Sequence, residues 1–137
     1  HPGVDDITKI RESAVDYDGD GDVTESISDE ISTLADTLYA QILVYAETIA
    51  ATPITYDSHS HPYFFVDANK DGVADTNDEG SLVRYNAFTP RLMRAAYNYQ
   101  YSQKDPGAYA HNPIYLVHFL IDSIADLGGD VSLYTRP

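Results

Sequence analysis

One segment of the chain, Asp67–Asp78, places oxygen-bearing side chains at the spacing that a cation-binding loop needs. Positions 1, 3, 5, 9 and 12 of the segment carry Asp67, Asn69, Asp71, Asp75 and Asp78. Gly72 at position 6 permits a sharp bend, and Val73 offers its backbone carbonyl at position 7. Ca²⁺ is a hard cation that takes oxygen ligands, and a short loop supplies them when carboxylates alternate with spacer residues. The segment therefore predicts a calcium site.

A second Asp-rich segment, Asp16–Glu25, carries a shortened form of the same pattern, with Gly21 at the bend. Its predicted ligands are Asp16, Asp18, Asp20, Asp22 and Glu25. Position 12 is Ile27, which cannot bind a cation, so Glu25 at position 10 would have to close the loop. The alternative is that Asp29 or Glu30 folds back from the next helix.

Both segments resemble EF-hand loops, although the one at Asp67–Asp78 ends in Asp where that pattern has Glu. The segment at Asp16–Glu25 also resembles the extracellular calcium loops of Excalibur type. Two plain acidic turns are the alternative, since Asp and Gly favour turns. Gly in the same slot of both segments favours two calcium sites.

Two histidines, His59 and His61, are separated by one residue and are followed by Pro62 and an aromatic run. In an extended segment both imidazoles would lie on one side, where they could bind a transition metal or an axial position of haem. A polar loop is the alternative. His118 lies in an apolar stretch and is predicted to be a core residue.

The charge balance narrows the function classes. The chain has 137 residues, with 22 Asp and Glu against 8 Lys and Arg and a formal charge of −14. Nucleic acid and anionic membranes are therefore excluded as partners, and no segment is long and apolar enough for membrane insertion.

The chain contains no Cys, so it cannot hold a c-type haem covalently. Without a nucleophile motif or a Gly-rich phosphate loop, the sequence predicts no enzymatic activity.

Helical signals surround the two acidic segments. A short helix is predicted from Asp5 to about Val15, and a long one from a capping box at Ser26 to about Ala51. Pro90 and Pro113 each follow a predicted N-cap and begin the last two helices, which end near Gln103 and Leu127; the final helix is predicted to be central and buried. Residues 53–88 are predicted to be irregular. The expected fold is mainly α, with about four helices in one domain over residues 1–137.

Three segments resemble the C-terminal region of secreted multihaem c-type cytochromes of bacteria and archaea. They are DYDGDGDVTESISDE at 16–30, TYDSHSHPYFFVDANKDGVADTND at 55–78, and TPRLMRAAYNYQYSQKDPGAYAHNPIYLVHFLIDSIADL at 89–127. The resemblance implies a calcium-containing helical region of a larger chain. It also implies that His1 is the end of a haem-attachment motif whose Cys residues lie outside this chain.

Two functions follow as expectations. In the first, a calcium-stabilised domain packs on haems of its parent chain or of a neighbouring subunit, with His1, His59 or His61 contacting haem. Tyr63 and Phe64 would share that face. In the second, a free-standing surface or filament protein assembles through calcium and Tyr-rich interfaces as a homo-oligomer. Both place the chain outside the cell or at its surface, with the periplasm as an alternative.

Overall fold

A computed structural model describes residues 5–10 and 14–137 of the chain. As predicted, the fold is mainly α, and the elements within these residues are one 3-10 turn, four helices and two short strands. The turn is Ile7–Lys9, the helices are α1 (Ile27–Thr48), α2 (Pro90–Lys104), α3 (Ala108–His111) and α4 (Pro113–Asp126), and the strands are β1 (Ile54–Tyr56) and β2 (Phe64–Val66).

The first predicted helix, Asp5 to about Val15, is replaced among the described residues by the 3-10 turn. Asp6 caps this turn by accepting a hydrogen bond from the backbone N–H of Thr8. Residues 11–13 of the predicted helix lie outside the described residues. Ala14 and Val15 are not helical, so the helix prediction was wrong at its C-terminal end.

The capping box predicted at Ser26 begins α1. The Ser26 hydroxyl accepts a hydrogen bond from the Asp29 backbone N–H, and the Asp29 carboxylate accepts one from the Ser26 backbone N–H. The spacing of apolar residues predicts a stripe of Ile31, Leu34, Leu38, Ile42, Tyr45 and Ile49 along this helix. The first four are buried, whereas Tyr45 is half-buried and Ile49 is exposed beyond the helix end. The helix ends at Thr48, before the predicted end near Ala51. Ala51 has a positive φ of 56°, which no α-helix accommodates.

The irregular segment predicted at 53–88 contains a small antiparallel sheet. Strands β1 and β2 pair with Ile54 opposite Val66 and Tyr56 opposite Phe64. Phe64 and Phe65 are both buried, because the chain covers both faces of this short sheet. Continuous burial removes the alternation of polar and apolar residues by which a strand is recognised in a sequence.

Helix α4 lies at the centre of the core, as predicted, packed against α1 and α2. Its fully buried side chains are Leu116, Val117, Leu120, Ile121 and Ile124. Its exposed large apolar side chains, Ile114 and Tyr115, lie in the first turn. Thr89 caps α2 by accepting from the Leu92 N–H, as predicted, whereas the Asn112 side chain makes no capping hydrogen bond at α4. The short helix α3 occupies the approach to α4, which changes the backbone at Asn112.

Candidate metal centre

The first acidic loop curls around the carboxylate of its first residue. Both oxygens of Asp16 accept backbone hydrogen bonds, from the Gly19 N–H at 2.6 Å and from the Gly21 N–H at 2.9 Å. The two glycines have φ angles of +76° and +93°, which side chains with a Cβ rarely adopt. Asp18 and Asp20 each accept a hydrogen bond from the backbone N–H two residues ahead. The loop is therefore a series of tight turns that are held by its own carboxylates.

Glu30 joins this loop to helix α1. The capping box places Glu30 in the first helical turn, with its side chain directed back toward the loop. Its Oε2 accepts hydrogen bonds from the Tyr17 N–H at 2.7 Å and from the Asp18 N–H at 2.9 Å. Its exposed fraction is 0%, which is rare for a carboxylate. Asp29 and Glu30 were the two residues that could fold back from the helix to the loop. Glu30 reaches the loop, whereas Asp29 binds Ser26 and Lys9.

Two trios of carboxylates converge in this loop. Asp16, Asp18 and Glu30 form one trio, and Asp18, Asp20 and Glu25 form the other. Within each trio the oxygens that could bind a metal all lie within 4.8 Å of one another. Asp18 belongs to both trios, so it lies at the centre of five acidic side chains. A divalent cation at this point would offset the repulsion between them.

The electrostatics of the loop fit a hard cation. Asp18 is 5% exposed, and its Oδ2 has no hydrogen-bond partner among the described residues. Burial raises the pKa of the Asp18 carboxyl above its usual range. Burial, together with the charges of Asp18 and Asp20, raises the pKa of Glu25 to about 7. A buried oxygen without a donor is costly unless a cation binds it, and every side chain offered here is an oxygen ligand.

The remaining predicted ligand of this loop, Asp22, lies in neither trio. It is exposed, and its carboxylate accepts hydrogen bonds from the backbone N–H and the hydroxyl of Thr24, at 2.7 and 2.6 Å. The structure thus brings together four of the five predicted ligands and adds Glu30.

The second acidic loop follows β2 and has a buried first residue as well. Asp67 is 4% exposed, and its carboxylate accepts from the Asp71 N–H at 3.1 Å and from the Gly72 N–H at 2.9 Å. Asp75 bends back over the loop, because its Oδ2 accepts from the Ala68 N–H at 3.0 Å. The Thr55 hydroxyl of β1 donates to the Gly72 carbonyl at 3.2 Å and ties the bend to the sheet.

The other predicted ligands of the second loop do not gather around a common point as the carboxylates of a trio do. The Asn69 amide donates to Asp71 at 2.9 Å, so these two side chains bind each other. Val73 is exposed, and Asp78 lies in the turn that the Asn77 N–H closes on the Ser81 carbonyl. No carboxylate trio forms in this loop among the residues that the structure describes. Calcium binding here stays a prediction from spacing and from the arrangement of Asp67.

Two of the three histidines predicted to contact haem, His59 and His61, lie on the surface. His59 has a side chain that is 92% exposed and lies 3.5 Å from the Asp57 carboxylate. His61 is exposed and packs edge-on against the Tyr63 ring. Phe64 is only 3% exposed, so it does not belong to the accessible face that was expected to carry it. His1 lies outside the described residues.

Contacts of the first loop with residues 130–137 were not foreseen from the sequence. The Thr135 N–H donates to the Tyr17 carbonyl at 3.1 Å, and Gly19 lies directly against the backbone of Leu133. The sequence indicated no role for Gly19, because no spacing in a sequence reveals a contact with a segment more than a hundred residues away.

No helix in the described part of the chain is long and apolar enough to cross a membrane.

No protein-family model matches the chain, and no solved structure matches it. Among curated proteins, the chain is similar to two C-type polyheme cytochromes of Geobacter sulfurreducens, OmcB and OmcC. Each is 39% identical to it over 77 residues, a match that covers 48% of this chain. The match covers 10% of the length of either cytochrome. This partial similarity links the chain to multihaem cytochromes.

Proposed function

We propose that this chain is a non-enzymatic, calcium-stabilised domain of an extracellular multihaem cytochrome, where it supports haem packing and electron transfer. The observation that carries the calcium part is the convergence of four other carboxylates on Asp18, whose buried Oδ2 has no hydrogen-bond partner among the described residues. Ca²⁺ would bind oxygens of Asp16, Asp18, Asp20, Glu25 and Glu30 in the first loop. In the second loop it would bind Asp67, Asn69, Asp71, Asp75, Asp78 and the Val73 carbonyl.

The calcium would act on folding. With a formal charge of −14, the chain repels itself when it is compact, and the repulsion is strongest where carboxylates are densest. Glu30 is fully buried at the start of α1, so a cation bound beside it would stabilise the junction of loop and helix. Binding to the folded chain alone raises the free energy of unfolding.

The haem part of the proposal is supported by the partial similarity to polyheme cytochromes. Since the chain has no Cys, the haem would be held by another part of the parent chain or by a neighbouring subunit. The exposed imidazoles of His59 and His61 could reach it, and the chain would pack beside the haem without attaching it. An extracellular location agrees with calcium loops, because calcium there is in the millimolar range.

Calorimetric titration with Ca²⁺ tests the metal sites, with Mg²⁺ as the comparison ion. We expect two Ca²⁺ per chain, because two loops carry ligands. Mg²⁺ should bind more weakly, because it requires near-ideal octahedral geometry and loses water reluctantly. A chain that takes up no Ca²⁺ at millimolar concentration would contradict the proposal.

A further inference from the structure

Residues 130–137 form a segment that lies across the first acidic loop. The Tyr17 carbonyl accepts a hydrogen bond from the Thr135 N–H at 3.1 Å. At Gly19 the two backbones are in direct contact, because a Cβ there would lie 2.5 Å from the Leu133 carbonyl oxygen. The loop residues Tyr17 and Gly19 therefore provide the surface on which this segment docks.

The same two loop residues hold the carboxylates of the metal centre. The Tyr17 N–H donates to Glu30 at 2.7 Å, and the Gly19 N–H donates to Asp16 at 2.6 Å. Thus one side of the loop backbone binds the acidic groups and the other contacts the segment. Any change in the path of the loop between Asp16 and Asp20 moves both sets of contacts.

We propose that a cation bound in the first loop and the docking of residues 133–135 stabilise each other. The inference rests on the proposed calcium site. Without the cation, the five carboxylates repel one another and favour a more open loop, in which Tyr17 and Gly19 no longer present the docking surface. By thermodynamic reciprocity, a docked segment raises the affinity of the loop for the cation by the same factor.

Other contacts hold parts of the segment independently of the loop. Arg136 pairs with Asp122 on α4, and Val131 and Tyr134 pack against the core. Loss of the cation should therefore free the segment locally, at the contacts with Tyr17 and Gly19, and leave its other contacts in place. The Thr135 amide is the most direct reporter, because its hydrogen-bond acceptor is the loop itself.

Hydrogen exchange of the Thr135 amide, followed in Ca²⁺ and in chelator, tests the coupling. We expect exchange to be at least about tenfold slower in Ca²⁺, because opening of the loop breaks its hydrogen bond. Equal exchange rates, in a chain that calorimetry shows to bind Ca²⁺ in the first loop, would overturn the coupling and leave the proposed calcium site intact. A chain that binds no Ca²⁺ there would overturn both.

A matched pair of glycine variants separates docking from backbone strain. Gly19→Ala and Gly21→Ala both place a Cβ at a positive φ, but only the Cβ at residue 19 meets residue 133, since nothing lies within 4 Å of a Cβ at residue 21. We expect Gly19→Ala to speed Thr135 exchange and to weaken Ca²⁺ binding more than Gly21→Ala does. Equal effects of the two substitutions would count against the coupling.

A second pair of variants measures the effect of docking on Ca²⁺ affinity, and this test remains available if Gly19→Ala fails to fold. Thr135→Pro removes the N–H that donates to Tyr17, whereas Thr135→Ala keeps it. Thr135 is exposed, so neither substitution removes a core side chain. We expect Thr135→Pro to weaken Ca²⁺ binding about fivefold and Thr135→Ala to leave it unchanged. Unchanged affinity in Thr135→Pro would overturn the coupling.

Discussion

The Asp18 backbone N–H donates to Glu30 Oε2 at 2.9 Å, so a fully buried carboxylate connects the acidic loop to the first turn of α1. The Asp18 side chain, in turn, lies in both carboxylate trios of that loop. This arrangement explains how a cation could affect the fold: a charge placed beside Asp18 acts on the loop and on the start of the longest helix together.

Glu30→Gln should weaken calcium binding without unfolding the chain. The Gln oxygen can still accept from Tyr17 and Asp18, but the negative charge in the trio is lost. We expect at least a tenfold loss of Ca²⁺ affinity at the first loop, since binding strength follows the number of charged ligands. Asp36→Asn is the control, because it removes one exposed charge from the same helix. Equal calorimetric affinities for the two variants would show that Glu30 takes no part in the site.

Much of the fold could be predicted from the sequence, because capping motifs and the pattern of apolar residues mark where helices begin and which faces are buried. Ser26 and Thr89 begin α1 and α2 as expected, because a capping motif is local. The β1–β2 pair was missed because Phe64 and Phe65 are both buried.

The residues of the candidate site also fall into two groups: those that local spacing predicts, and those that depend on contacts with distant parts of the chain. Spacing predicted Asp16, Asp18 and Asp20 as ligands, and each of them lies in a carboxylate trio. Spacing left the choice between Glu25, Asp29 and Glu30 open, because it depends on how the loop packs on α1. Both Glu25 and Glu30 lie in a trio, whereas Asp29 caps the helix.

The contribution of Glu25 to the pH dependence of stability should differ between chelator and Ca²⁺. Without Ca²⁺, the pKa of Glu25 is raised from 4.5 to about 7 in the folded chain. Between these values the folded chain keeps a proton that the unfolded chain has released, so this group's contribution to stability falls as pH rises. In chelator, Glu25→Gln should therefore become more stable relative to the unaltered chain from pH 4.5 to 7.

The same comparison in saturating Ca²⁺ provides the control. There the cation favours the ionised Glu25 and lowers its pKa in the folded chain below the value of 4.5 in the unfolded chain. Glu25→Gln should then lose stability relative to the unaltered chain only as pH rises toward 4.5, and the difference should stay constant from pH 4.5 to 7. Denaturant unfolding at several pH values measures both differences. A difference that does not vary with pH in chelator would show that Glu25 is not held in a buried acidic environment.

The two loops should bind calcium separately. Asp67→Ala removes the acceptor of the Asp71 and Gly72 N–H groups and should abolish one of two Ca²⁺ sites per chain. Asp16→Ala removes the acceptor of the Gly19 and Gly21 N–H groups and should abolish the other. Calorimetric stoichiometry distinguishes them, and both substitutions eliminating the same single site would show that the loops form one centre.

The exposed histidines should be able to bind haem iron. Microperoxidase, a haem peptide with an open axial position, should show a shifted Soret band when the chain is added, because imidazole nitrogens bind haem iron. The double substitution His59→Ala, His61→Ala should reduce the shift. His111→Ala is the control, because His111 is also exposed but lies in α3. A shift that the double variant retains in full would remove the haem role assigned to this segment.

Thermal unfolding in chelator and in millimolar Ca²⁺ tests the central claim, that a cation in the acidic loops stabilises the fold. A ligand present at about 100 times its Kd adds about 2.7 kcal/mol to the free energy of unfolding. For a domain of this size, the Tm should then rise by roughly 5 °C or more, and chelator should reverse the rise. Mg²⁺ at the same concentration controls for ionic strength and should give a smaller shift. Identical unfolding curves in chelator and in Ca²⁺ would contradict the account.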